Sequence, residues 1–140
     1  DVITGHSYGE IPALVAAGVL SLEDALTLTR LRTASVESDE RTRGALLSTT
    51  ASLEATEALM LQLPGGCYLA SHNAPDQTVI GGTPDAVNGM RRLLEAEGFG
   101  CKLLAVPRPY HTPLLQSAQA PFAAALERLT FRTPSVKFLS

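Results

Sequence analysis

"CYLASHNAPDQTVIGG", Cys67–Gly82, is the stretch from which the fold is read. Two runs, "CYLASHNA" and "TVIGG", have the small, aromatic and β-branched content of strands. "PDQ" between them is turn chemistry. The stretch therefore predicts two adjacent strands. Working back from Cys67, "PGG" is a turn and "SLEATEALMLQL" a helix capped by Ser52. "ALLSTTA" before it is a strand. Working forward from Gly82, "TPDAVNGMRRLLEAEG" is a helix with Thr83 as cap and Pro84 at its first position. "CKLLAVP" is a closing strand.

The order is β-α-β-β-α-β over residues 44–107, the ferredoxin-like arrangement. Asp1–Thr4 predicts a buried strand and Gly5–Gly9 a tight turn. Tyr8–Val19 predicts a helix with Ile11, Leu14, Val15 and Val19 on one face. Ser21 opens "SLED" and caps a second helix running to about Ser38. "ESDERTRG" is a charged loop. After residue 107, "RPYHTP" breaks the chain, Leu114–Leu129 is a helix, and the last residues are extended. The expectation is an α/β protein in which 44–107 is a small subdomain set between two pieces, 1–43 and 108–140, of a larger one. The chain lacks an initiator Met and starts and stops inside or beside strand-like runs, so both ends read as internal to a longer protein.

Bulk properties exclude several classes. The chain has 140 residues, 45% hydrophobic and 18% charged, which supports a packed core rather than disorder. Net charge is −3 with scattered Lys and Arg, so no basic footprint for nucleic acid is present. No apolar run approaches the ~18 residues of a membrane span, and no secretory signal pattern is present. Cys67 and Cys101 are too few for a disulfide framework or a zinc site. They read as reduced, buried small hydrophobes of a cytoplasmic protein. Met60 and Met90 read as core filler. Gly81-Gly82 reads as a strand-end turn, since a phosphate loop would need a Lys and fuller glycine spacing.

Chemistry concentrates at "GHSYG", Gly5–Gly9, a G-x-S-x-G pattern between a strand and a helix. A strained turn lifts the Ser7 hydroxyl clear of the backbone, and the glycines let strand and helix approach. The following helix N-terminus offers N–H groups to an oxyanion. The competing reading is that Ser7 only caps the next helix. A nucleophilic serine needs a base. His6 is adjacent and directed away, in a supporting role. His72 falls in a strand and reads as structural. His111 lies on a proline-bracketed loop, where catalytic groups are often found. On the second helix, Arg32 falls inside the apolar arc of Leu22, Ala25, Leu26, Leu28, Thr29 and Val36, whereas Arg30 falls outside it. A guanidinium on that face needs a partner. A ligand carboxylate, a structural acid and a side chain that snorkels out all satisfy this.

"GHSYGE", "GVLSLEDALTLTRLR", "ASHNAPDQTVIGG" and "PYHTP", in that order, resemble the malonyl-CoA:acyl-carrier-protein transacylase family. That family includes the acyltransferase domains of polyketide and fatty acid synthases. The resemblance spans essentially the whole chain. It implies an α/β-hydrolase-like core with a ferredoxin-like insert. It implies that Ser7 is acylated by an acyl-CoA and deacylated by the phosphopantetheine thiol of an acyl carrier protein. His111 would be general base and acid, and Arg32 would grip the free carboxylate of a malonyl-type group. Tyr8 would give a backbone N–H to the oxyanion, and His6 would line the site. No cofactor is implied beyond the CoA thioester substrate, and the parent would be a multidomain synthase or, as the alternative, a free-standing transacylase. Asn73 falls in a family motif near the subdomain junction and reads as structural, with a place lining the cleft as the alternative.

The family's second oxyanion donor, a glutamine upstream of the serine, falls outside this chain, so activity is expected of the intact parent. The residue after the serine is often Leu, Val or Gln in the family. Tyr8 there resembles iterative synthases of the polyunsaturated-fatty-acid or enediyne type. Tyr110, before the expected catalytic histidine, resembles a selectivity gate whose large ring favours malonyl over methylmalonyl. Two other readings stay open. One is a serine esterase or thioesterase, which would need an Asp or Glu behind its histidine. The other is a non-catalytic carrier-docking relic of an acyltransferase.

Overall fold

A computed structural model describes residues 1–140. The chain forms two compact units, Asp39–Ser117 and the combination of Asp1–Ser38 with Ala118–Ser140.

The central unit contains strand β2 (Ala45–Thr49), helix α3 (Leu53–Met60), β3 (Cys67–Ala74), β4 (Gln77–Gly82), α4 (Pro84–Ala96) and β5 (Cys101–Leu103). Its four strands form one antiparallel sheet in the order β3-β4-β2-β5. Both expected caps are made: Ser52 Oγ accepts from the Ala55 N–H (3.2 Å) and Thr83 Oγ1 from the Ala86 N–H (3.3 Å). The core is Leu47, Ile80, Val87, Met90 and Leu94, all without solvent exposure. Val87, Met90 and Leu94 recur at helical spacing on α4, so one face of that helix meets the sheet. Met60, Cys67 and Cys101 pack around this core, half-buried rather than fully buried. Burial still pushes the Cys67 thiol up to about 11. Gly81 and Gly82 are not a turn. They are the buried last residues of β4.

The outer unit contains β1 (Val2–Thr4), α1 (Glu10–Ala16), α2 (Leu22–Glu37), α5 (Gln119–Leu126) and β6 (Lys137–Leu139). Strand β1 pairs with β6 in parallel, Ile3 opposite Phe138. Within these 140 residues the expected burial of β1 is not found: Val2 is 54% exposed, and the half-buried positions are the paired Ile3 and Phe138. Ile11, Leu20, Ala25 and Leu28 form the core, with Phe122 and Leu126 of α5 against it. The α1 helix is shorter than expected, because the chain tightens into a 3₁₀ turn over Ser7–Gly9 before it. The Leu114–Leu129 segment likewise divides into a 3₁₀ stretch, Pro113–Ala118, followed by α5.

The expected boundaries at 43/44 and 107/108 differ from the observed ones. Residues 39–43 and 108–117 pack with the central unit. Asp39 accepts from the Arg41 guanidinium at 2.8 and 3.0 Å, which, with a hydrogen bond from Ser117, holds its carboxyl well below the usual carboxylate range. The entry and exit of the unit are thereby tied together. The Gly44 N–H donates to Pro107 O (3.3 Å), and Pro109 is fully buried. No helix of the chain is long and apolar enough to cross a membrane.

Candidate active site

In the outer unit, Ser7 begins the 3₁₀ turn that joins β1 to α1. Its φ is +53°, in the left-handed region that L residues other than Gly rarely occupy. The Gly9 N–H closes the turn on His6 O (2.9 Å). A Cβ at Gly5 would run into the Gly9 carbonyl and lie 2.6 Å from Glu10 N, so residue 5 must be Gly for the strand to pass this close to the helix start. The N-cap position of α1 is Gly9, two residues after Ser7. His6 is exposed and extended, φ −112°.

Arg32 is half-buried on α2, and Arg30 is exposed. The Arg32 guanidinium carbon lies over the Tyr8 ring, 5.6 Å from its centroid. The structure thus brings Ser7, Tyr8 and Arg32 together. The apolar arc of α2 splits. Ala25, Leu28 and Val36 are buried, whereas Leu22 and Leu26 are 66% and 54% exposed. With Tyr8, Ile11 and Val15, these two leucines line an apolar depression of about 450 Å³ beside the elbow.

In the central unit, the segment Pro107–Pro113 carries Tyr110 and His111. His111 is exposed and has φ +64°. Ser7 and His111 are the only non-glycine residues of the chain with positive φ. The loop is pinned on both sides of the histidine. Thr112 Oγ1 donates to Pro109 O (2.6 Å), and the Tyr110 N–H donates to Arg108 O (3.0 Å). Pro109 and Thr112 press on β4: a Cβ at Gly81 would lie 2.7 Å from Thr112 Cγ2. Tyr110 is half-buried.

His72 is exposed on β3 opposite Thr78, and Asn73 is exposed at an irregularity of the same strand. Sequence reading missed Arg108. It is 8% exposed, and its Nε and Nη1 are buried without hydrogen-bond partners, three positions before His111. No cluster of three or more His, Cys, Asp or Glu is arranged to hold a metal.

The family described as the acyl transferase domain matches residues 1–140. The non-reducing polyketide synthase atnG of an Arthrinium species is 34% identical over 143 residues, covering 100% of this chain and 7% of that protein. Among solved structures, the acyltransferase domain of the iterative polyketide synthase in enediyne biosynthesis superposes with a TM-score of 0.85 at 30% identity, over 96% of this chain and 36% of that one. The malonyl-CoA:acyl carrier protein transacylase of Xanthomonas oryzae pv. oryzae gives 0.90 at 34% identity, over 99% of this chain and 46% of that one. The chain therefore spans under a tenth of the synthase and a third to a half of the solved chains. Matched along its whole length and sharing their mixed α/β fold, the chain belongs to the acyl transferase domain family.

Proposed function

We propose that this chain carries the nucleophile, the base and the carboxylate anchor of a malonyltransferase that loads an acyl carrier protein. The observation that carries the reading is the placement of backbone strain. A left-handed φ costs an L residue about 1–3 kcal/mol, and such residues cluster at functional sites. Here that strain falls on Ser7 and His111 alone among the non-glycines. The His111 imidazole takes the Ser7 Oγ proton as Oγ attacks the thioester carbonyl, and the Tyr8 backbone N–H steadies the oxyanion. Collapse breaks the C–S bond, and His111 returns the proton to the CoA thiolate. The phosphopantetheine thiol of the carrier then attacks the seryl ester by the same route in reverse. Arg32 holds the distal carboxylate, His6 lines the site, and no cofactor takes part.

Tyr110, next to His111, gates the acyl group. Its ring crowds an α-methyl, so malonyl is preferred to methylmalonyl, by the ~1–3 kcal/mol that one methyl is worth. We read the central unit as ferredoxin-like, supported by its β-α-β-β-α-β order and the strand order β3-β4-β2-β5. We read the outer unit as part of an α/β-hydrolase-like subdomain, supported by the strand–elbow–helix at Ser7. The parent would be a cytoplasmic multidomain synthase.

The test is intact mass of the full-length protein after brief exposure to malonyl-CoA without carrier, beside Ser7→Ala. A malonyl adduct lost in the variant supports the reading. Free CoA without adduct points to a thioesterase. Neither adduct nor free CoA from folded protein points to a carrier-docking domain.

A further inference from the structure

The Tyr8–Arg32 pair in the outer unit gives the Tyr8 side chain a task that the reaction scheme does not use. The guanidinium of Arg32 lies 5.6 Å from the centroid of the Tyr8 ring, inside the ~6 Å range in which a ring face attracts a cation. The ring is itself held. Tyr8 Oη lies 3.4 Å from Thr29 Oγ1, and Thr29 Oγ1 donates to Ala25 O at 2.8 Å. With its proton committed to the carbonyl, the Thr29 oxygen is left as acceptor for the Tyr8 hydroxyl. Thr29 and Arg32 are one helical turn apart on α2, so ring and guanidinium lie along the same face. Tyr8 is the residue after Ser7, inside the 3₁₀ elbow. The aromatic side chain thus links the nucleophile turn to the arginine.

We propose that Tyr8 is a positioning residue. Its ring fixes the Arg32 guanidinium at a set distance from Ser7, and so selects acyl groups that carry a distal carboxylate. The ring attracts the guanidinium through its charge and takes up none of its N–H donors, so bidentate hydrogen bonds to a carboxylate do not compete with the contact. An arginine stem has ~2 kcal/mol of rotamer entropy to lose on binding. A ring that restrains the head before substrate arrives removes part of that loss. The ring is 49% exposed and borders the apolar depression, so replacing it leaves the buried core of the unit intact.

This inference rests on Arg32 being the carboxylate anchor, and the experiment separates the two. In the full-length protein, kcat and KM are measured for malonyl-CoA and acetyl-CoA with wild type, Tyr8→Leu, Tyr8→Phe, Arg32→Ala and the Tyr8→Leu/Arg32→Ala double variant, with thermal melts as a folding check. Tyr8→Leu is expected to raise KM for malonyl-CoA and to lower the malonyl-to-acetyl ratio of kcat/KM by about threefold to thirtyfold. Tyr8→Phe keeps the ring and gives up only the long, exposed hydrogen bond to Thr29, so it is expected to hold that ratio within about twofold. In the Arg32→Ala background, Tyr8→Leu should not change the ratio further. The inference is overturned if Arg32→Ala collapses the ratio while Tyr8→Leu leaves it unchanged. It is also overturned if Tyr8→Leu depresses both substrates equally, or if Tyr8→Phe shifts the ratio as far as Tyr8→Leu. An unchanged ratio in Arg32→Ala overturns the carboxylate anchor and this inference together.

Discussion

The turn at Ser7 and the loop at His111 hold the same kind of strained backbone by different means. At Ser7 the constraint is local. Gly5, Gly9 and Glu10 lie within one turn of the chain, and the fit of Gly5 against the Gly9 carbonyl sets the geometry. At His111 the constraint is long-range. Pro109 bears on Gly44 and, with Thr112, on Gly81, which lie beside strand β2 and in strand β4, far back in sequence. The Ser7 turn is thus stable wherever its own strand and helix form. The His111 loop is only as well placed as the sheet beneath it.

The largest effect expected from this contrast is at Gly5. In Gly5→Ala, the new Cβ meets backbone that cannot rotate away, so we expect a loss of about 3 kcal/mol or more in the acyltransferase domain, read by denaturant unfolding. At Gly9 a Cβ would meet nothing within 4 Å and φ is −63°, so Gly9→Ala should change stability by less than about 1 kcal/mol. Equal losses at the two positions would break the local account of the elbow.

Gly81 tests the long-range account. Gly81→Ala brings a methyl to 2.7 Å from Thr112 Cγ2 and 2.9 Å from Leu46 Cδ2. Both neighbours are side chains that can shift, so the cost should be smaller, about 1–3 kcal/mol. Thr112→Ser deletes the clashing methyl and keeps the hydroxyl that donates to Pro109 O. The double variant should then recover about 1 kcal/mol relative to the sum of the singles. Strict additivity would mean that the loop does not rest on Gly81.

The same contrast explains what could be read in advance. Caps, turns and periodicity are local, and Ser21, Ser52 and Thr83 each accept the backbone N–H expected of them. The Ser7 elbow is local too, and its five-residue pattern is visible without a fold. The His111 segment shows only prolines, because what fixes it is a sheet surface more than twenty residues away in sequence. That is also why the sequence groups residues 108–117 with the outer pieces whereas the fold puts them on the central unit. The run that forms β6 reads as extended, but its parallel pairing with β1, at the opposite end of the chain, has no local signal. Helical spacing places Arg32 on the inner face, but its contact with Tyr8 depends on how the Ser7–Gly9 turn packs on α2.

Cys67 gives a smaller and more local readout. It is the register partner of Gly82 at the end of β4, next to Gly81. Burial raises its pKa to about 11, so the neutral thiol persists as pH rises and only ~0.1% is thiolate at pH 8. Alkylation of Cys67, followed by peptide mapping, should be slow at pH 8 and rise about tenfold per pH unit towards 11. Gly81→Ala should speed it at pH 8 by loosening that end of the sheet. A core-preserving change in the outer unit, Gly9→Ala, should not. Acceleration by both would mean that the two regions do not respond independently.

Arg108 should give the smallest change in stability and the most informative one about the loop. Its side chain is buried, yet Nε and Nη1 have no hydrogen-bond partner. Removing one member of a buried ion pair costs about 3–5 kcal/mol, because a charge is left uncompensated. Removing a buried guanidinium with unmet donors relieves desolvation instead. Arg108→Met keeps an unbranched apolar stem of similar reach, so the packing of this buried side chain is largely retained. The expected result is a melting temperature that is unchanged or raised, a difference within about 0.5 kcal/mol of zero or favourable. A loss of about 3 kcal/mol would show that Arg108 is paired in the folded protein, and the His111 loop would then be held by charge as well as by its contacts with Gly44 and Gly81.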